Sequence, residues 1–140
     1  LQIFSHSKMK KFKKIIIGND FPSSNINNIE NLKNIKLMNN NEFISILQQT
    51  KMLIIPSIYD SSPSALYDAI CNGVIPYISD SIECDIVPKK CFFNLKLDIE
   101  DIVNNLLDNY YSNIYIDKNI IEQKIALELD NLNNIFNYIL

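Results

Sequence analysis

Residues Met52 to Asp80, which read MLIIPSIYDSSPSALYDAICNGVIPYISD, decide the fold of this chain. They join an apolar strand, a turn of serines and proline, a helix and a second apolar strand. Ser62 has the side chain of a helix cap, and Pro63 suits the first helical position. The amides just inside such a helix start are free and attract anions. This stretch therefore predicts a strand–loop–helix–strand unit with an anion-binding turn.

Two aspartates, Asp60 and Asp68, flank the turn and are eight positions apart. The predicted helix spans Pro63 to Asn72, and Gly73 follows it as a stop signal. Its apolar stripe consists of Ala65, Leu66, Ala69 and Ile70. Ser64 and Asp68 are four positions apart, so they lie on one face of the helix, away from that stripe and beside the free amides. Asp60 is predicted in the loop that approaches the same point.

The composition is that of one globular domain. The chain has 140 residues, 47% of them apolar, and a formal net charge of −3. This length suffices for one domain with a real core but not for two large ones, and the composition is typical of a soluble protein. The longest apolar runs, Met52 to Ile55 and Val74 to Ile78, are far shorter than the ~20 residues that cross a bilayer, so no transmembrane segment is predicted.

The start of the chain and its cysteines bear on localisation. The chain begins at Leu1 without Met and has no basic-then-apolar leader, so we expect no signal peptide and a longer protein that is truncated here at its N-terminus. Cys71, Cys84 and Cys91 are odd in number and match no metal-ligand spacing, which is typical of reduced thiols in the cytoplasm. His6, the only histidine, is expected at the surface. No metal and no cofactor are predicted.

The basic residues are all lysines, thirteen in number. The one dense run consists of Lys8, Lys10, Lys11, Lys13 and Lys14. A nucleic-acid footprint usually spreads over a whole element and includes arginine. A solvated surface is therefore the simpler interpretation of the run, with a phosphate-binding patch as the alternative, and no nucleic-acid partner is predicted.

Short β-branched runs alternate with helical stretches, which is the pattern of a parallel sheet with crossover helices. The predicted strands are Lys14 to Ile17, Ile35 to Met38, Met52 to Ile55, Ile75 to Ile78 and Cys91 to Asn94. The predicted fold class is α/β, a Rossmann-like three-layer domain with a parallel sheet of about five strands. Ligands of such open sheets bind outside the carboxyl ends of the strands, where the loop that carries Asp60 begins.

The remaining segments are predicted as helices and one long loop. The further helices are Asn41 to Gln49, with Asn41 as its cap, then Ile99 to Tyr110, and Lys118 to Ile139 with an apolar stripe that packs on the sheet. Asn19 to Asn34 is rich in Asn, Ser and Pro and is predicted as a loop, with one helical turn at Ile26 to Leu32 left open.

The stretch from Pro56 to Asp80 resembles the nucleotide-sugar-binding segment of the group-one GT-B retaining glycosyltransferases. The first half of the family pattern is Pro-Ser, two further residues, Glu-Gly and then Pro. A second Glu follows eight residues after the first, and after it come Ala, an apolar residue, a small residue, a variable residue, Gly and a strand. This chain has, in the same order and spacing, Pro56-Ser57, Asp60, Pro63, Asp68-Ala69, Ile70, Cys71, Gly73 and the strand Val74 to Ser79. Upstream, Lys14 to Gly18 looks like the strand and glycine that open the donor pocket. The resemblance covers residues 13–88 and extends only loosely over the C-terminal helices at 97–140.

This resemblance implies one half of a GT-B fold, from a hexosyltransferase-type enzyme that transfers a sugar from a sugar nucleotide with retention of configuration. By similarity, Asp68 would hydrogen-bond the ribose hydroxyls and Asp60 would contact the transferred sugar in the catalytic site. The diphosphate would be held around Ser61, Ser62, Pro63 and Ser64, with Gly18 lining the pocket. The acceptor-binding half would come in cis or in trans, so the 140 residues alone are not expected to be active. The resemblance implies a cytoplasmic protein, or one peripheral to a membrane through the missing half.

Some residues depart from the family pattern and favour a second hypothesis. Both family glutamates are aspartates here, each one methylene shorter, and the glycine after the first acid is Ser61. The family's first strand, with an Arg and a Lys that resemble diphosphate clamps, has no counterpart. These departures favour a degenerate module of the same fold that binds a nucleotide sugar, or another protein, without turnover.

Two simpler interpretations remain open. Taken without the family pattern, Asp60 is a cap for the turn before Pro63, and Asp68 is an exposed helix residue.

A signalling receiver is a third class of function, because Asp20, Asp60 and Asp80 all follow predicted strands. Asp60 trails its strand by several residues, however, whereas a phosphoacceptor aspartate lies directly at a strand end.

Overall fold

Strands and helices alternate along the chain in the computed structural model, which describes residues 2–18, 29–36, 39–59, 64–117, 119–123 and 126–127. The strands are β1 (Lys14–Ile17), β2 (Leu32–Ile35), β3 (Met52–Ile55), β4 (Ile75–Ser79) and β5 (Phe92–Phe93). The helices are α1 (Gln2–Ser5), α2 (Asn40–Leu47), α3 (Ser64–Cys71) and α4 (Ile99–Tyr111), with 3₁₀ turns at Ser7–Met9 and Lys89–Cys91. The described residues of 119–123 and 126–127 are also helical.

The described strands form two parallel sheets. One contains β1 and β2, and the other has the order β3-β4-β5. The predicted α/β class with parallel strands is confirmed, but the single sheet of about five strands is wrong. Hydrophobic periodicity identifies a strand from its own residues, whereas the choice of neighbouring strand depends on contacts between segments far apart in the chain.

Three strands lie where the sequence predicts them, and two do not. β1 and β3 have the predicted bounds, and β4 extends one residue further, to Ser79. β2 begins three residues before the predicted Ile35, because Asn31 takes a positive φ of 58° and its side-chain amide donates to the Lys10 carbonyl at 2.8 Å. That turn starts the strand inside the region predicted as a loop. Residues 19–28, 37 and 38 lie outside the described residues. The described part of the open helical turn, Ile29 to Leu32, is not helical: the Leu32 amide donates to the Ile29 carbonyl at 3.4 Å in a turn, and Leu32 begins β2.

β5 is shorter than predicted because turns cut into both of its ends. Cys91, the predicted first residue, closes the 3₁₀ turn Lys89–Cys91. The predicted last residue, Asn94, accepts a hydrogen bond at its side-chain oxygen from the amide of Lys96 at 2.7 Å. Asn favours such local side-chain bonds over a strand ladder, so pairing ends at Phe93.

Helix α2 shows that the predicted cap was wrong by two residues. Asn39, not Asn41, is the N-cap, and its side-chain oxygen accepts from the Glu42 amide at 3.0 Å. Glu42 in turn accepts from the Asn39 amide at 3.2 Å, which completes a capping box. The sequence does contain the pattern of a capping box, which needs Glu three residues after the cap. Glu42 is three residues after Asn39 but only one residue after Asn41.

Helix α4 matches the prediction and ends one residue later. Asp98 is its N-cap, accepting from the Glu100 amide at 2.8 Å. Of the predicted helix Lys118 to Ile139, only residues 119–123 and 126–127 are described; they are helical, and Ile121 of the predicted stripe is buried.

The core of the three-stranded sheet lies on both of its faces. One buried cluster includes Leu66 and Ile70 of α3 with Ile78 of β4. On the other face of the sheet, Tyr77 and Phe93 stack with their ring centroids 4.7 Å apart and an interplanar angle of 23°. That second cluster is completed by Met9, Ile102, Val103 and Leu106. β4 is therefore the most deeply buried described strand, as the central position in its sheet requires.

The N-terminal segment, residues 2–13, packs against α4. His6 is half-buried instead of lying at the surface, and its Nε2 donates to Glu100 at 2.7 Å while its Nδ1 accepts from the Lys8 amide. Lys8 also pairs with Glu100 and donates to Asn104 at 2.7 Å. The hydrogen bonds from Lys8 and then His6 hold the pKa of Glu100 below its usual range.

Lys14 departs from the solvated surface predicted for its run. Its side chain is 4% exposed, and Nζ donates to the Met9 carbonyl at 2.7 Å. Burial lowers the pKa of Lys14, and the negative charge of Glu30 opposes that change. Lys14 thus fastens the N-terminal segment to the start of β1, while the other four lysines of the run are exposed.

Gly73 stops α3 as predicted, through a Schellman motif. Its φ is +73°, its amide donates to Ile70, and the Val74 amide donates to Ala69 at 2.9 Å. A Cβ at Gly73 would meet nothing within 4 Å, so only the backbone conformation opposes a side chain there.

We therefore expect Gly73→Ala to lower the free energy of unfolding by about 1–2 kcal/mol, the usual cost of a left-handed L-residue. Urea unfolding measures this directly. Gly73→Asn is the matched control and should lose less, because Asn tolerates the left-handed region. Equal stability of the alanine variant and the parent would contradict the role given to this glycine.

Candidate functional site

The candidate site is built on α3, which follows β3 through the loop after Pro56-Ser57. Helix α3 buries Leu66, Ala69 and Ile70. Ser64, its first residue, is exposed, and Asp68 lies one turn further along the outward face, half-buried. The structure thus places Ser64 and Asp68 together, because positions four apart in a helix share a face.

The Asp68 carboxylate has no hydrogen bond or ion pair with any described residue. The main-chain carbonyl of Asp68 accepts from the Asn72 side-chain amide at 2.8 Å and from the Asn72 main-chain amide at 3.2 Å. Carboxylates in proteins are usually satisfied by donors when they are partly buried. An ionised carboxylate only accepts hydrogen bonds, so the chemistry that Asp68 suits is that of a donor such as a hydroxyl pair.

Four of the predicted site residues lie outside the described residues: Asp60, Ser61, Ser62 and Pro63. Gly18 is described at the end of β1, where its amide donates to the Ile35 carbonyl at 3.1 Å. Its φ of 149° is a conformation that side chains rarely adopt. Gly18 belongs to the two-stranded sheet and Asp68 to a helix packed on the three-stranded sheet.

The carboxyl edge of the three-stranded sheet brings further polar groups beside the loop after β3. β4 runs parallel to β3 and ends at Ser79, which is fully buried. The Ser79 hydroxyl accepts from the Ser81 amide at 3.2 Å, and the Asp80 amide donates to the Phe93 carbonyl at 2.9 Å. These bonds leave the Asp80 side chain exposed at the same edge as Pro56-Ser57.

Sequence reasoning missed two exposed apolar side chains at this edge. Ile58 and Tyr59 are 83% and 85% exposed. Their position in the sequence could have indicated this exposure. Both lie in the loop after β3, three and four residues past its last residue, Ile55, where side chains leave the core. Both residues precede Asp60 in the sequence, which lies outside the described residues, and they leave exposed apolar side chains in the loop after β3.

One cavity in the described part of the chain lies away from Ser64 and Asp68. Its volume is about 420 Å³, and it lies at the other end of α3 and β4, where Cys71 to Ile75 meet Ile114 to Ile116. No three His, Cys, Asp or Glu side chains of the described ranges come together as metal ligands. No helix within those ranges has the length and apolarity of a membrane span.

Comparison with known proteins gives no relative: no protein-family model, curated protein or solved structure matches the chain.

Proposed function

We propose that this chain is the donor-binding half of a retaining glycosyltransferase, a Rossmann-like domain that binds a sugar nucleotide at the loop between β3 and α3. The single observation that carries the proposal is the Asp68 carboxylate. It is half-buried, has no partner among the described residues, and lies one turn from the helix start on the face of Ser64. The pattern from Pro56-Ser57 to Gly73 supports it with the order and spacing of a sugar-nucleotide site.

The chemistry of the proposed site follows from its groups. A carboxylate only accepts hydrogen bonds, so Asp68 suits the two adjacent hydroxyls of a ribose. The amides at the start of α3 suit a diphosphate, on which negative charge grows as the glycosidic bond breaks. Asp60, in the preceding loop, would contact the transferred sugar. An acceptor-binding half, in cis or in trans, would complete the reaction.

Titration with nucleoside diphosphates and sugar nucleotides, followed by ligand-observed NMR or calorimetry, tests this proposal. We expect Asp68→Ala to weaken binding of the best ligand about 10- to 100-fold, because hydrogen bonds to a charged group contribute about 1.5–3 kcal/mol. Asp108→Ala is the matched control, since it removes the same charge from an exposed position on α4 and should leave binding unchanged.

Two results would contradict the proposal. If the parent protein binds none of these ligands, the site is not a donor site. If binding persists unchanged in Asp68→Ala, the ribose role belongs to another residue.

A degenerate, non-catalytic binding module is the second candidate, favoured by aspartates in both glutamate positions and by the absence of arginine from the sequence. A shorter acid moves its carboxyl group by roughly 1 Å, which is enough to impair catalysis while binding survives. The complete natural protein distinguishes the two candidates. Release of nucleoside diphosphate from a bound donor supports the transferase, and tight binding of a donor that stays intact supports the module.

A further inference from the structure

A second feature of this chain is the lysine surface, which we define as Lys8, Lys10, Lys11 and Lys13 with Tyr111 of α4. The four lysines are exposed, in turns between α1 and β1. Residues 2–18 contain no acid, although the whole chain carries a net charge of −3. Positive charge is therefore concentrated on one side of an otherwise acidic molecule.

The lysine surface surrounds a shallow groove on α4. The groove has a volume of about 360 Å³ and is lined by Ser7, Lys8, Lys10, Lys11, Leu107 and Tyr111. Lys11 Nζ lies 5.3 Å from the ring centroid of Phe12 and 5.5 Å from that of Tyr111. Tyr111 is 59% exposed, so the groove combines ammonium groups with an amphipathic ring.

The acids nearby neutralise only part of this charge. Lys8 pairs with Glu100, and Lys10 pairs with Glu30 at 3.3 Å. Both pairs are solvent-exposed, and such pairs contribute little and exchange readily. Lys11 and Lys13 have no acidic partner in the part of the chain that the structure describes. The surface therefore keeps a net positive field toward solvent.

We propose that the lysine surface docks on an anionic phospholipid bilayer. Lysines clustered on one short segment are attracted to anionic headgroups, and tyrosine rings are enriched at the membrane–water interface. The four lysines at positions 8, 10, 11 and 13 are all exposed, so this short segment offers several positive charges to a plane of anionic headgroups.

Single-stranded nucleic acid is a poorer occupant for two reasons. It is usually bound through aromatic rings on which bases stack. Here Lys11 lies over Phe12 and Tyr111, and the rings of Phe12 and Tyr110 contact each other edge-to-face, with centroids 5.0 Å apart. Arginine, which supports both phosphate contacts and stacking, is absent from the sequence.

Vesicle flotation tests the proposal, with neutral phosphatidylcholine vesicles and vesicles containing 30% phosphatidylserine. We expect binding only to the anionic vesicles, and a steep loss of binding as salt is raised. The triple variant Lys10→Gln, Lys11→Gln, Lys13→Gln should bind about 100-fold more weakly, or about fivefold for each lysine. Lys8 is kept because it holds the N-terminal segment on α4.

The matched control is Lys33→Gln, Lys36→Gln, Lys96→Gln, which makes the same change in net charge at exposed positions elsewhere. Circular dichroism and thermal unfolding verify that both triple variants are folded. Three results would overturn the proposal: equal binding to neutral and anionic vesicles, equal weakening by both triple variants, or binding to a single-stranded oligonucleotide but not to vesicles at the same salt concentration. Donor binding is measured separately and does not depend on the outcome.

Discussion

Phe93→Ala is expected to lower the free energy of unfolding by about 3–5 kcal/mol, the cost of deleting a buried aromatic side chain and leaving a cavity. Phe93 is 2% exposed and stacks on Tyr77, which is fully buried. The stack lies at the centre of the cluster that joins the three-stranded sheet to α4 and to Met9. Because domains of this size are stable by only about 5–15 kcal/mol, this loss is a large fraction of the free energy of unfolding.

Urea unfolding followed by far-UV circular dichroism measures this loss. Tyr115→Ala is the matched control, because it deletes an aromatic ring that is 81% exposed. Such a surface change should alter stability by no more than about 0.5 kcal/mol. A Phe93→Ala variant as stable as the control would show that the stack does not form the core of the domain.

Raising the pH from about 10 to about 12 is expected to remove roughly 2 kcal/mol of stability through Tyr77 alone. Burial raises the pKa of Tyr77 from 10.0 to about 12, with a smaller contribution from the nearby Cys91. The hydroxyl donates to the Ile102 carbonyl at 3.0 Å, a bond that only the protonated form can make. A folded-state pKa above the unfolded value means stability that is complete below pH 10 and is lost as pH rises through 12.

The comparison of the parent with Tyr77→Phe isolates this effect. The phenylalanine variant loses the bond to Ile102 at every pH but cannot ionise, so its stability should fall less over the same window. Lys14, whose pKa burial lowers, titrates in both proteins and cancels in the difference. Cys91 raises the pKa of Tyr77, so its interaction with that hydroxyl is part of the effect that the comparison measures. Parallel curves for the two proteins would show that Tyr77 does not titrate in this window.

Several elements could be predicted from the sequence because their signals are local. β3 is a continuous apolar run, β1 has three isoleucines after Lys14, and α4 has an apolar stripe directly after its cap, Asp98. Gly73 stops α3 because only its own backbone conformation matters there. The cap of α2 was also readable, through the spacing of Asn39 and Glu42, although the prediction chose Asn41.

One part of the candidate site, the helix face that carries Ser64 and Asp68, could also be predicted from the sequence. The four-residue spacing of Ser64 and Asp68 implied a shared face, and α3 places them on one. Sequence reasoning did not show that Asp68 lacks a partner among the described residues, because hydrogen-bond partners come from anywhere in the chain. Nor did it identify the exposed apolar side chains of Ile58 and Tyr59 in the loop after β3.

The sequence by itself determined the α/β class, most element bounds and the face that carries Asp68, since these follow from spacing within short segments. Only the tertiary structure decided the division into two sheets, the start of β2, the burial of Lys14 and the packing of residues 2–13 on α4. Each of these depends on contacts between residues distant along the chain. Their free energies arise from burial and hydrogen bonding after the chain has folded back on itself, which no local pattern records.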